Sequence, residues 1–142
     1  MLNGEQFRTT KILFVDNDET SFQVRQCMAR VLNSLPPIEL FHARDATEAL
    51  AMLDQLKPDV IVLDDETPAE RDLLMDSLPG NHPPIVLRSE TRLPTPEKFR
   101  LDEPVTYIPK NESLDGIHQT LILVTAIGIK GTNVRAVSSA VH

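Results

Sequence analysis

The chain has 142 residues, 41% hydrophobic and 25% charged, a size and composition that allow one sizeable core. Its net charge of −7 argues against nucleic-acid binding, because neutralising phosphates needs a basic face. The single cysteine, Cys27, excludes an intramolecular disulfide and a multi-cysteine metal site. No apolar run reaches bilayer length and the polar start MLNGEQFRTTK is no signal peptide, so the cytoplasm is the expected compartment and no membrane the expected partner.

Residues 1–9 read as a polar arm. A short apolar run at 11–15 predicts a buried strand, and it ends in the acidic cluster Asp16-Asn17-Asp18-Glu19. Ser21, Val24, Met28, Val31, Leu32 and Leu35 recur at helical spacing, which predicts a helix over about 19–33 that Pro36-Pro37 stops, with Cys27 as a core thiol. A second strand follows at 38–42. Asp45, with Glu48 three residues on, then opens a second helix whose inner stripe is Ala46, Leu50 and Leu53. Lys57-Pro58 ends that helix. Residues 59–63 form a third buried strand, which runs into Asp64-Asp65-Glu66. A short helix is expected over 69–78, with Pro79-Gly80-Asn81 breaking it. Strands follow at 85–88 and 105–108, and a last helix from 113 onward. Thr91 to Pro96 carries two prolines where a helix should begin, which leaves only 97 to about 101 for it.

Strands alternating with helices at these intervals predict an α/β fold, a doubly wound five-stranded parallel sheet of flavodoxin-like order 2-1-3-4-5 with helices on both faces. In that order the first and third strands are neighbours, so the two acidic clusters meet at the carboxyl edge, where such sheets bind ligands. Carboxylates held that close repel unless a cation or a raised pKa relieves them. Oxygen ligands of this kind suit Mg2+, which makes phosphoryl transfer the first chemical expectation.

Four motifs carry a family resemblance: KILFVDNDE, PDVIVLDDETP with Pro68 four residues after Asp64, PPIVLRSE ending in Ser89, and TYIPK ending in Lys110. In this order and spacing the chain resembles a response-regulator receiver (CheY-like) domain over roughly 10–125, followed by a C-terminal helix extension or linker at 126–142. The resemblance implies a phosphoacceptor at Asp64 and Mg2+ held by Asp16, Asn17, Asp64 and the backbone carbonyl of Glu66, with Asp18 as a further candidate. It implies that Ser89 and Lys110 contact phosphoryl oxygens and that Ser89 and Tyr107 switch with phosphorylation. The implied partners are a histidine kinase or phosphotransfer protein and an unknown output domain or partner protein. Such a domain catalyses its own modification but turns over no metabolite.

The chain departs from the pattern in several places. Asn17 offers an amide where the family usually has a carboxylate. Glu66 puts an acidic side chain near the phosphoryl path. Pro83-Pro84 leaves the register of the fourth strand open, and Ser89 is preferred to Arg88 because Ile85-Val86-Leu87 then fills the buried strand. Asn111 follows the lysine where proline is common, so a trans peptide is expected. These departures motivate an alternative, a degenerate receiver that acts as a phosphorylation-independent interaction module. A remoter one is a haloacid dehalogenase-type phosphatase with Asp16 as nucleophile and Asp18 as acid/base, but its motif order fails here. Ile122, Leu123, Ile127 and Ile129 add apolar surface beyond what packing needs, which suggests either a homodimer through the last helix or a linker to a longer regulator.

Overall fold

Five apolar segments pair into one parallel sheet in a computed structural model that describes residues 9–31, 36–64, 68–89, 105–110 and 113–141, without the side chains of 105, 109 and 130–141. The strands are β1 (Thr10–Val15), β2 (Ile38–Ala43), β3 (Val60–Asp64), β4 (Ile85–Ser89) and β5 (Val105–Pro109), in order β2-β1-β3-β4-β5. The described helices, labelled in chain order, are α1 (Glu19–Val31), α2 (Ala46–Leu56), α3 (Pro68–Ser77) and α4 (Leu114–Val141). The doubly wound order expected from the sequence is the order observed. The expected short helix after 96 lies outside the described residues.

Strand alternation sorts the buried residues onto two faces. Ile12, Phe14, Val60, Val62, Val86 and Ile108 pack under Phe22 of α1 and Ile117, Leu121 and Val124 of α4. The intervening Leu13, Val15, Ile61, Leu63, Ile85 and Leu87 pack under Ala46 and Ala49 of α2 and Leu74 of α3. Both faces are thus covered, as the continuous apolar runs of β1 and β3 require. Complete burial of a side chain such as Leu121 contributes about 1.5–3 kcal/mol.

The helices begin and end where local chemistry dictates. Asp18 caps α1: its Oδ1 accepts the Ser21 N–H at 3.0 Å and its Oδ2 the Ser21 hydroxyl at 2.7 Å. Asp45 caps α2 by accepting the Glu48 N–H at 2.8 Å, while Glu48 reaches back to the Arg44 N–H at 3.1 Å. Lys57 closes α2 in the left-handed region at φ 50°, its N–H donating to the Leu53 carbonyl. Pro58 then forbids continuation.

Helix α1 departs from the expected stripe. Phe22 and Arg25 are its buried residues, with Met28 and Ala29 packed against the core, whereas Val24 and Val31 are exposed and so is Cys27. The helix is rotated so that Arg25 faces the sheet, where a carboxylate awaits it; Cys27 is a surface thiol, not a core one. On α4, Ile117, Leu121 and Val124 are buried, whereas Leu114 is exposed. Ile122 and Leu123 are also exposed, as the expected apolar surplus requires, but Ile127 of that set packs against the core and Ile129 is only half-exposed. The helix is continuous through 126 to Val141. Among the described residues no helix is long and apolar enough to cross a membrane.

Candidate functional site

The pairing Val15↔Leu63 between β1 and β3 leaves Asp16 and Asp64 as the residues that end neighbouring strands. Both follow the parity of Phe14 and Val62, so both lean toward the α1/α4 face of the sheet edge. Beside β3, the pairing Asp64↔Arg88 sets a guanidinium next to the carboxylate, and Ser89↔Pro109 brings Lys110 in from β5. Above this edge opens a cavity of about 600 Å³ lined by Asp16, Asn17, Asp18, Arg44, Asp45, Asp64, Glu70 and Lys110, among others.

Asp64 is the centre of one ion-paired group. Its Oδ2 lies 3.1 Å from the Lys110 ammonium and its Oδ1 accepts from an Arg88 guanidinium nitrogen at 3.3 Å. Burial pushes the Asp64 carboxyl above the ordinary aspartate range; Arg88 and Lys110 pull it down without cancelling that effect, and Asp16 adds to the rise. Ser89 is buried at the end of β4, and its carbonyl accepts the Lys110 N–H at 2.8 Å. The hydroxyl-bearing residue and the lysine are therefore locked together at the strand ends. β4 runs through Ser89, but its register sets Arg88 rather than the preferred Ser89 opposite Asp64; Ser89 has the other parity and is not among the residues lining the cavity.

Asp16 is the centre of a second group. Its Oδ2 accepts from Arg25 at 3.1 Å, and its Oδ1 accepts the Asp18 N–H at 3.0 Å. The ring Nε2 of His42 lies 2.9 Å from the Asp16 carbonyl and 3.1 Å from Oδ1. The supporting side chains are themselves fixed: the Arg25 guanidinium sits over Phe14 at 4.7 Å, and His42 stacks on Phe22 at 4.7 Å and 12°.

The structure thus brings together Asp16, Asn17, Asp18, Asp64 and Lys110 around one cavity, with Ser89 adjoining Lys110. Asp18 spends both carboxylate oxygens on Ser21, whose hydroxyl above all, and then its N–H, hold the Asp18 carboxyl below the ordinary value. Tyr107 is half-buried and packs against the α2/α3 face of the core, away from the parity that carries Lys110. Glu66 and Asn111 lie outside the described residues. Sequence reasoning missed Arg25 and the part of His42. The first was legible as the member of a stripe Phe22, Arg25, Met28 and Ala29, whose spacing of three and four residues is as helical as the one chosen.

Divalent-cation binding can be tested against these contacts. Every carboxylate oxygen of Asp16 and Asp64 already accepts from a cation or an N–H. Among the described residues no three His, Cys, Asp or Glu side chains are grouped to hold a metal ion. Among the described residues these contacts do not fit the Mg2+ that the resemblance implies; the expected Glu66 carbonyl lies outside them.

No model of a known protein family matches the chain, and neither does any curated protein. Solved structures do. The chemotaxis response regulator CheY4 of Vibrio cholerae is 22% identical, with 82% of this chain and 99% of that one aligned at a TM-score of 0.58. The N-terminal domain of a response regulator/sensory box/GGDEF 3-domain protein from Carboxydothermus hydrogenoformans is 18% identical over 94% of this chain and 100% of its own, at 0.59. A de novo designed Rossmann 2x3 fold protein also aligns, 11% identical over 78% and 85% of the two chains at 0.56. A designed protein among the matches is a reminder that such likeness speaks to fold, while function rests on the site. With five parallel strands in the order 2-1-3-4-5 and many receiver domains among its structural matches, the chain has the fold of a response-regulator receiver domain.

Proposed function

We propose that the chain is a cytoplasmic receiver of two-component signalling that accepts a phosphoryl group on Asp64 and changes its partner interactions in response. The observation that carries this is the Asp64–Lys110 contact of 3.1 Å at the floor of an open cavity on the carboxyl edge of the sheet. Burial raises the basicity of the Asp64 carboxylate, which favours it as a nucleophile. In the reaction an Asp64 oxygen forms the new O–P bond while the donor's P–N or P–O bond breaks, and the electron pair leaves with the donor's imidazole or carboxylate. Lys110, which lines the cavity and balances the carboxylate beforehand together with Arg88, is placed to follow the charge onto the phosphoryl oxygens. A histidine kinase or phosphotransfer protein is the donor this reading requires.

A second reading has its own support. Asn17 brings no charge to the cavity, and both buried carboxylates already have guanidinium partners. Such a pocket suits a receiver-fold interaction module that works without phosphorylation. Incubation of the protein with acetyl phosphate, with and without Mg2+, followed by intact-mass measurement, separates the two. An adduct that disappears in Asp64→Ala supports the phosphoacceptor. An adduct lost in Asp16→Asn but kept in Asp64→Asn would point to the phosphatase chemistry instead. No adduct from a folded sample under either condition would leave the interaction module.

A further inference from the structure

The two buried arginines have no place in a site that draws its positive charge from a bound metal. Arg25 and Arg88 are each 1% exposed, and each makes a short contact to one of the two carboxylates that end β1 and β3. They come from different elements, α1 and β4, yet converge on the same sheet edge from the α1/α4 side. Neither lines the cavity, which is bounded instead by the carboxylates and Lys110. The guanidinium groups therefore approach from beneath and leave the cavity side open. A charge buried to this degree is tolerated only when it is paired, so each arginine is committed to its carboxylate.

The charges can be counted. Among the described residues the buried carboxylates Asp16 and Asp64 face Arg25, Arg88 and Lys110 within 3.3 Å. Each of these two carboxylates thus meets a cationic side chain without any ion from solvent, while the cavity wall also carries Asp18, Asp45 and Glu70 beside Arg44. A divalent cation placed between the carboxylates would lie close to both guanidinium groups and be repelled by them.

We infer that Arg25 and Arg88 perform the charge balancing that a divalent cation performs at paired carboxylates, so that Asp16 and Asp64 stand side by side at this sheet edge without Mg2+. Arg88, which shares Asp64 with Lys110, acts through Asp64 and Arg25 acts through Asp16; both are positioning residues. The inference deepens the phosphoacceptor reading, while its prediction for metal binding stands on the arginine–carboxylate geometry.

The test is a titration of the folded protein with Mn2+, read by paramagnetic broadening of the Asp16, Asn17 and Asp18 amide signals, beside a Mg2+ titration by calorimetry. The wild type should show neither selective broadening nor heat at millimolar metal. Arg88→Met removes the competing charge and should tighten metal binding by at least about tenfold, a difference of about 1.4 kcal/mol. Arg88→Lys keeps the charge and should remain blind to metal. Broadening at Asp16 to Asp18 in the wild type would overturn the inference, and that measurement needs no variant. Its overthrow is also distinct from failure of the phosphoacceptor reading. An adduct formed only with Mg2+ would sink the inference and keep the phosphoacceptor. A metal-blind wild type that never forms an adduct would do the reverse.

Discussion

Replacing Arg25 with methionine tests whether the Asp16 group is as tightly coupled as its geometry implies. The substitution keeps much of the side-chain volume and removes the guanidinium that lies 3.1 Å from Asp16 Oδ2. Breaking a buried pair from one side costs about 3–5 kcal/mol, because the remaining charge is left in a poorly solvating interior. Loss of the cation from the Phe14 face adds about 0.5–1 kcal/mol. Two features reduce the total: Asp16 Oδ1 keeps the Asp18 N–H and the His42 ring as partners. The expected loss is therefore near the lower end, about 3 kcal/mol, a large share of the roughly 5–15 kcal/mol typical of a domain. Urea unfolding followed by circular dichroism at neutral pH reads it directly as a lower midpoint at unchanged slope. The double variant Asp16→Asn/Arg25→Met should lose less than the sum of the single variants, with a coupling of about 1–3 kcal/mol. A loss below about 1 kcal/mol in Arg25→Met, or simple additivity in the double variant, would refute the claim that Asp16 depends on Arg25.

Asp64 makes a prediction about pH. Its folded pKa is raised, so between the unfolded value of 3.8 and the raised one the native state binds more protons than the unfolded state. Stability from this group is therefore fully present below 3.8 and lost as pH rises through the folded pKa. Subtracting the pH–stability curve of Asp64→Asn from that of the wild type isolates the effect, and the difference should fall with rising pH across that window; a rising difference would contradict it. Gly128 of α4 sits where an added Cβ would lie 2.9 Å from Thr10 Cγ2 and 3.2 Å from Val60 Cγ1. Gly128→Ala gains about 1 kcal/mol of helix propensity but overpacks two stiff β-branched side chains at about 1–3 kcal/mol. A net destabilisation of up to about 2 kcal/mol is expected by urea unfolding, and a stabilised variant would show that α4 can lift off the sheet.

Much of this protein was legible in its residues before any coordinates. The apolar runs of β1, β3 and β4, each closed by a polar residue, dictated buried parallel strands, because only a sheet covered on both faces hides such runs. The αL stop at Lys57 before Pro58 set the end of α2 by local sterics alone. Asp16, Asp64 and Lys110 were legible as well, since a strand order of 2-1-3-4-5 puts their strand ends along one edge. The rotation of α1 was not. Its sequence offers two stripes of helical spacing, one through Val24 and Val31 and one through Phe22 and Arg25. Hydropathy favours the first, and helical periodicity cannot rank a buried arginine above an exposed valine. Only the position of Asp16, fixed by pairing between strands far apart in sequence, makes burial of Arg25 favourable. The same holds for Arg88, which reads as a break in an apolar strand until register sets it opposite Asp64. Local sequence thus determined which elements form and where they stop. The tertiary structure alone decided which charges meet, because the energy of an ion pair depends on a distance that no single segment contains.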